Sequence, residues 1–536
     1  MRKYITSAAA FLIAVFSANA QNINAQVQVT NSYSSSVGDF AKQNVPVNVP
    51  DSALKFDYDF DYSVFDSPYR GAYEFVPYTV RVVPEAQPYD GRVLYLNAGA
   101  GYSLYPVFQA VFSPKMKGNF AMSVHQDLQG YYGDYWDVAA ESMKIIKGSL
   151  HKGYDLAEKF GVEGSLNAGS LLVSLNADYK GLYNDDGLLP SLYHSGVLKA
   201  GIKSTLGMSS YFLYDVVLSA EIGADRLDHR FEPIDVMQQS FGLDATIGSV
   251  LKGKYRILVD VDARHDIYSG ISVQNSTFVQ AFPRIDLLLG MFSVNAGAKL
   301  SYAGKSFRIH PDVEMNLSLL DGGLDVFAGL TGGQKLNSYN GFKDEYHRFN
   351  MSYTDKVNAV TERKFDAYAG FKGHIGSHFQ YNLKGGYAVY GNAPLASVVR
   401  EPSFISTVTF LDYNMVYADA SLSWKSERVE VLAGANFRKT SLPASEDYFD
   451  LPMFSGDISA VYNIRKRIYI GVSCDGATAR GLISAFADLG AFAEYRISDR
   501  FSVWAKGGNL LNMTIQRLPR YVEKGINFTG GITLNL

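Results

Sequence analysis

Two neighbouring pairs hold the residue types for acid-base chemistry: Asp228 beside His229, and His265 beside Asp266. An imidazole next to a carboxylate can serve as a general base, and with a hydroxyl it can drive hydrolysis. That work needs partners within hydrogen-bond reach, which adjacency in sequence does not supply. The nine histidines are scattered, and only His374 and His378 have metal-ligand spacing. They straddle an expected turn at Gly376-Ser377, so they do not share one helical face. The single cysteine, Cys474, excludes an intrachain disulfide framework and a multi-cysteine zinc site. No glycine loop that could cradle a phosphate stands between a strand and a helix. The expectation is a chain with no catalytic residues, no metal and no cofactor, whose function lies in its shape.

The elements that set that shape are strands. The 536 residues include 37 Tyr, 33 Phe and 49 Gly but only 17 Pro, a balance that suits sheet more than helix. A formal net charge of -4 gives no electrostatic case for nucleic acid. Mean hydropathy close to zero fits a sheet in which only alternate residues meet lipid. At the start, Arg2 and Lys3 precede an apolar run from Ala8 to Phe16, and Ala18-Asn19-Ala20 offers a cleavage site. This reads as a secretory leader over 1–20, too short in its apolar part to span a bilayer. Beyond it no apolar stretch is long enough for a transmembrane helix.

Side chains of a strand point alternately to its two faces, and long segments of this chain are written that way. Phe528, Ile532, Leu534 and Leu536 fall on one face, with Asn527, Thr529, Thr533 and Asn535 on the other. Phe379, Tyr381, Leu383 and Tyr387 oppose Gln380, Asn382, Lys384 and Gly386 in the same manner. About 22 such segments run from Arg92 to Leu536, many of about ten residues, the span of a tilted strand across the hydrocarbon core. The expected fold is all-β: a transmembrane antiparallel barrel over 92–536, preceded by a periplasmic or luminal segment over 21–91. Tight polar connections, such as Lys252-Gly253-Lys254, Asp321-Gly322-Gly323, Ser426-Glu427-Arg428, Arg465-Lys466-Arg467 and Ser498-Asp499-Arg500, read as periplasmic turns. The stretches Gln126–Asp155, Gly181–His194, Asp225–Met237 and Gly333–Lys364 read as outer loops.

Near the C-terminus, Gly508-Asn509-Leu510-Leu511-Asn512, then Tyr521, Gly525 and the alternating last strand, resemble the closing segment of TonB-dependent outer-membrane receptors. The resemblance implies an outer-membrane barrel that moves or binds a nutrient-sized solute. Those receptors carry a folded plug ahead of the barrel, and the segment of about 70 residues between leader and first strand is too short for a standard one. Gln26-Val27-Gln28-Val29-Thr30 is extended but offers no distinctive TonB-contact sequence.

A wall of that many strands encloses a lumen that leaks unless something fills it. Phe56, Tyr58, Phe60 and Tyr62, alternating with aspartates, form a candidate occluding segment. By alternation Arg256, Asp260, Asp262, Lys299, Lys384, Glu430, Arg438 and Asp475 face the lumen. Their mixed signs suit a solvated interior or a neutral solute path. Cys474 falls on the lipid face with Ile468, Ile470 and Val472. The expected partners are outer-membrane lipid, a small solute, and outer-membrane or periplasmic proteins. The competing class is a non-transporting subunit of an envelope secretion, assembly or surface-protein complex.

Overall fold

A computed structural model describes residues 93–536, apart from 103, 140, 186–189, 206–211, 228–233, 252–254, 271–272, 305, 320–322, 346–358, 400–404 and 446–447. The expected leader, the segment 21–91 with Phe56, Tyr58, Phe60 and Tyr62, the Asp228-His229 pair and the Lys252–Lys254 turn lie outside the described residues.

The strands are β1 (Leu94–Gly101), β2 (Val107–Phe112), β3 (Phe120–Tyr135), β4 (His151–Ala168), β5 (Leu171–Asp185), β6 (Ser191–Ser204), β7 (Leu213–Leu227) and β8 (Ile234–Leu251). They continue as β9 (Tyr255–Ser269), β10 (Ser276–Leu289), β11 (Phe292–Ala303), β12 (Ser306–Leu319), β13 (Leu324–Leu336), β14 (Val360–Ile375) and β15 (Phe379–Val399). The rest are β16 (Ile405–Lys425), β17 (Val429–Thr440), β18 (Phe454–Ile464), β19 (Ile468–Ala477), β20 (Phe486–Ser498), β21 (Phe501–Gly508) and β22 (Asn527–Asn535). Among the described residues one short helix, α1 (Tyr339–Glu345), lies between β13 and β14.

Each strand pairs antiparallel with its neighbours in sequence, and β22 returns to β1, with Ala98 opposite Ile532. The sheet is therefore a closed barrel, and no strand is left with an open edge. Closure is what the bilayer demands, because lipid cannot satisfy an unpaired backbone group. Leu218, Phe241, Ile257, Ile309, Val472 and Phe528 stand exposed on the outer wall, where a bilayer covers them. Residues of opposite parity carry the charges inside. No helix among the described residues is long and apolar enough to cross a membrane, so the strands do the crossing.

At the seam, Trp504 lies flat over two glycines of the adjoining strands. A Cβ at Gly99 would stand 2.6 Å from its ring, and one at Gly531 would collide with it. The indole N–H donates to Asn97 Oδ1 at 2.7 Å, tying β21 across β22 to β1. The turn between β18 and β19 holds Arg465 and Lys466 both at positive φ, 52° and 56°, which is the handed turn that suits twisted strands.

The expected outer loops are too long. The described strands run through Tyr135 and restart at His151, end at Asp185 and restart at Ser191, end at Leu227 and restart at Ile234, and end at Leu336 and restart at Val360. Lengths of 14 to 21 residues are common, against the ten expected. The reason is physical: above the bilayer no lipid faces the wall, so polar residues can occupy both faces and the alternation that marks a strand fades.

Candidate functional site at the loop end

The eight residues expected in the lumen all lie on the face opposite the exposed apolar side chains, and the structure sorts them into separate groups. Arg256 and Asp260 join one network: Arg256 Nε is 3.3 Å from Asp286, Arg284 bridges Asp286 and Asp260, and Thr246 donates to Asp260 at 2.7 Å. Asp262 is on the same strand, opposite Asp244 and Gln280. Lys299 pairs with Asp312, which also accepts from Thr331. The Lys384 ammonium rests 3.8 Å from the centroid of Tyr368, whose hydroxyl donates to Glu314. Arg438 pairs with Asp419, Glu430 is 3.9 Å from Lys425 at the turn end, and Asp475 accepts from Arg517. Cys474 shares the outer parity of Ile470 and Val472, which are exposed on that wall.

The His265-Asp266 pair does not assemble into an acid-base unit. His265 points outward and meets Thr277 Oγ1 at 2.8 Å, while Asp266 points inward to Arg264. His374 is the second-last residue of β14, and His378, beyond the turn, stacks on Trp424. Among the described residues no three His, Cys, Asp or Glu side chains converge as a metal site.

A feature missed from sequence lies where the loops meet. Ser338 caps α1, its hydroxyl accepting from the Gly341 N–H at 3.1 Å, and the helix turns into the barrel. Lys343 Nζ donates to Asp225 Oδ2 on β7 at 2.6 Å, and both side chains are almost wholly buried. Tyr339 OH donates to the same oxygen at 2.5 Å, and Ser191 Oγ to the other at 3.2 Å. Burial, reinforced by the Asp225 charge, raises the Tyr339 phenol well above its usual range and keeps it a donor. Gln238 accepts from the Asn340 N–H, Arg264 donates to Ser338, and Lys180 reaches Asp344. Gly223 lies so close beneath Asn340 that a Cβ there would collide with its amide.

On its other side α1 meets a different part of the wall. The Phe342 ring stands 6.1 Å from Phe410 on β16 at a 74° tilt, and Tyr339, Phe342, Val408, Phe410, Val236 and Tyr268 form one buried cluster. β7 and β16 are nine strands apart in the ring. A segment that touches the inner faces of both must cross the lumen.

The loop 509–526 crosses beside it. Leu518 packs on the same cluster and Ser406 donates to the Pro519 carbonyl. Arg517 is held by Asp475 at 2.6 Å, Glu523 at 3.0 Å and Asp488 at 3.5 Å. Burial works against its charge, but these carboxylates outweigh it and hold its pKa above the usual value. The residues that carried the resemblance clamp the neck of this loop. Asn509 donates to the carbonyls of Met513 and Lys524, and Asn512 Oδ1 accepts from the Ile526 N–H at 3.1 Å. Lys524 places its ammonium between Tyr105 and Tyr131, 3.9 and 4.7 Å from the ring centroids. Burial pushes its pKa down to about 7, and the ring faces are what favour the charge there.

No family model and no curated protein matches the sequence. Solved structures do. The FrpB iron transporter from Neisseria meningitidis (F5-1 variant) is similar with a TM-score of 0.64 at 11% identity, over 83% of this chain and 82% of that one. The ferric enterobactin receptor PfeA from Pseudomonas aeruginosa gives 0.62 at 9%, over 83% and 80%. The copper transporter OprC gives 0.61 at 12%, over 83% and 80%. At such identities the likeness speaks for the fold, and with the closed ring of 22 strands it supports one statement: this chain is an outer-membrane β-barrel with the fold of TonB-dependent receptors.

Proposed function

We propose that the protein binds a nutrient-sized solute at its outer face and passes it through a lumen that α1 and the loop 509–526 obstruct until they are displaced. The observation that carries this reading is the attachment of α1 to Asp225 on one side and to Phe410 on the other. The loop asymmetry of outer-membrane barrels puts this obstruction at the outer end. The structurally similar proteins include transporters of iron and copper, which supports transport as the class without naming the solute. In the same reading residues 1–20 are a secretory leader and 21–91 a periplasmic or luminal segment ahead of the barrel. The eight luminal charges then line a path of mixed sign.

The test is liposome swelling. Vesicles carrying the chain with 337–359 replaced by a short glycine-serine turn should swell in an isotonic neutral solute of a few hundred daltons. Vesicles with the intact chain should not. A deletion of 45–91 in parallel reports whether the Phe56–Tyr62 stretch blocks the lumen as well. If the loop-deleted barrel stays tight while a stoichiometric protein partner copurifies, the reading as a subunit of an envelope complex replaces this one.

A further inference from the structure

The ten turns at the end opposite α1, the periplasmic end by the loop asymmetry of such barrels, carry their charge on one side. Round the ring, the turns β16–β17, β18–β19, β20–β21 and β2–β3 follow one another, with the β22–β1 closure among them. They hold Arg428, then Arg465, Lys466 and Arg467, then Arg500, then Lys115 and Lys117, and all but Lys115 are exposed. The ion pairs at this rim join Lys425 to Glu430 and Arg496 to Glu494; none of the seven takes part in one among the described residues. Against these seven cations the four turns set Glu427 and Asp499, an excess of five, or four when the Leu536 carboxylate at the closure is counted. The other six turns hold Lys252 and Lys254 in one, Asp321 in another, and no arginine. We propose that this basic arc binds phospholipids of net negative charge in the periplasmic leaflet, with its arginines on their phosphodiesters. The proposal does not depend on the transport reading.

The wall sets the depth of the arc. Tyr462 pairs with Val429, the residue after Arg428, and Tyr495 pairs with Ile468, the residue after Arg467. Both tyrosines, like Trp424, stand exposed on the outer wall. Aromatic side chains with one polar end gather where hydrocarbon gives way to headgroups. One residue of strand spans about 3.3 Å, so the arginines begin just beyond that level, where a guanidinium reaches phosphate while its stem stays on apolar surface. The sheet also fixes their spacing. The Arg428 carbonyl accepts from the Asn463 N–H at 2.7 Å, that of Arg467 from Arg496 at 2.8 Å, and that of Arg500 from Asn535 at 2.8 Å. Arg428, Arg467 and Arg500 therefore precede β17, β19 and β21 at the same rung, each two strands, or about 10 Å, from the next.

Charge selects the lipid. Cations about 10 Å apart stand within about one Debye length of each other at 0.1 M salt and repel unless anions come between them. A zwitterionic headgroup brings no net charge to relieve this, whereas an anionic one does, and its phosphate matches the planar fork of a guanidinium. An acidic soluble protein would also answer the charge, but lipid must still cover Tyr462 and Tyr495, one residue away along the same wall.

The chain carries its own probe. Of its three tryptophans, Trp136 lies in an outer loop, Trp504 covers glycines on the inner face, and Trp424 stands on the lipid wall four residues before Arg428. The full chain with Trp136→Phe is reconstituted in equimolar phosphatidylglycerol and phosphatidylcholine, with one or the other lipid brominated near the headgroup end of its chains. The two quenching levels of Trp424 give the enrichment of the anionic lipid beside it. That enrichment should be about threefold or more, within the roughly fivefold that one basic side chain near an anionic surface supplies. Arg428→Gln with Arg467→Gln and Arg500→Gln should bring it to about one, as should salt near 1 M. Lys252→Gln with Lys254→Gln, outside the arc, should leave it as in the parent. Heat-modifiable gel mobility shows that each variant is folded. Three results overturn the proposal: no enrichment around the parent, enrichment that survives in the triple variant, or equal loss in the lysine variant, which would mark diffuse charge instead of the arc. An acidic protein that copurifies with the parent but not with the triple variant, beside absent enrichment, would make that protein the occupant and overturn it too.

Discussion

Replacing Lys343 by methionine keeps nearly the same side-chain length and removes a charge from a point where neither it nor Asp225 meets solvent. Asp225 retains two donors, Tyr339 and Ser191, and loses its only close cation among the described residues. Breaking a buried ion pair from one side costs about 3–5 kcal/mol, and the surviving hydrogen bonds put this case at the lower end, about 3 kcal/mol. At about 1.4 kcal/mol per tenfold, the undocked population of α1 rises by roughly a hundredfold. If docking is favoured by about 4 kcal/mol in the parent, the open fraction climbs from about one in a thousand to about one in ten. Planar-bilayer recording reads this directly as open probability. The double variant Asp225→Asn with Lys343→Met leaves no charge uncompensated and should close most of the way back. Open probability unchanged by Lys343→Met, or a double variant as open as the single one, refutes the reasoning.

Gly223→Val should eject α1 by steric collision with Asn340 while leaving the barrel wall intact, so conductance rises and heat-modifiable mobility stays. Trp504→Ala uncovers Gly99 and Gly531 and removes the donor to Asn97, and should destabilise the seam by about 3–5 kcal/mol, read as a lower temperature of conversion to the unfolded gel band. Lys524 has its pKa lowered from 10.5 to about 7, so the unfolded chain holds the proton more tightly and the loop's attachment strengthens as pH rises from about 7 to about 10.5. The hydrogen-exchange protection factor across 509–526, taken relative to the base-catalysed intrinsic rate, should rise over that range, and Lys524→Met should abolish the dependence.

The wall was legible because lipid on one side and water on the other enforce a period of two. Phe528 against Asn527 and Leu383 against Lys384 could be sorted without coordinates, and the ring of 22 agrees with that sorting. The loop end was not legible for the same reason in reverse. Asp225 read as the start of a loop because the chain around it is polar on both faces, yet it is the buried anchor of α1. Nothing local marks Lys343 as its partner, since the two are 118 positions apart and meet only through the closure of the barrel. The motif at Gly508–Asn512 was visible as a resemblance, but its work, clamping the neck of a loop that crosses the lumen, follows only from Asn509 and Asn512 bonding to the far end of that loop. One signal could have been used: Tyr339-Asn340-Gly341-Phe342-Lys343 is too aromatic for a loop wholly in water.

The account turns on α1 being inside the barrel. In a chain with Cys474→Ser, a cysteine at Asn340, which is 1% exposed, should resist a membrane-impermeant maleimide added from the outer face. A cysteine at Tyr102, 81% exposed, should react at once. Equal rates at the two positions would place the helix outside the lumen and contradict the account.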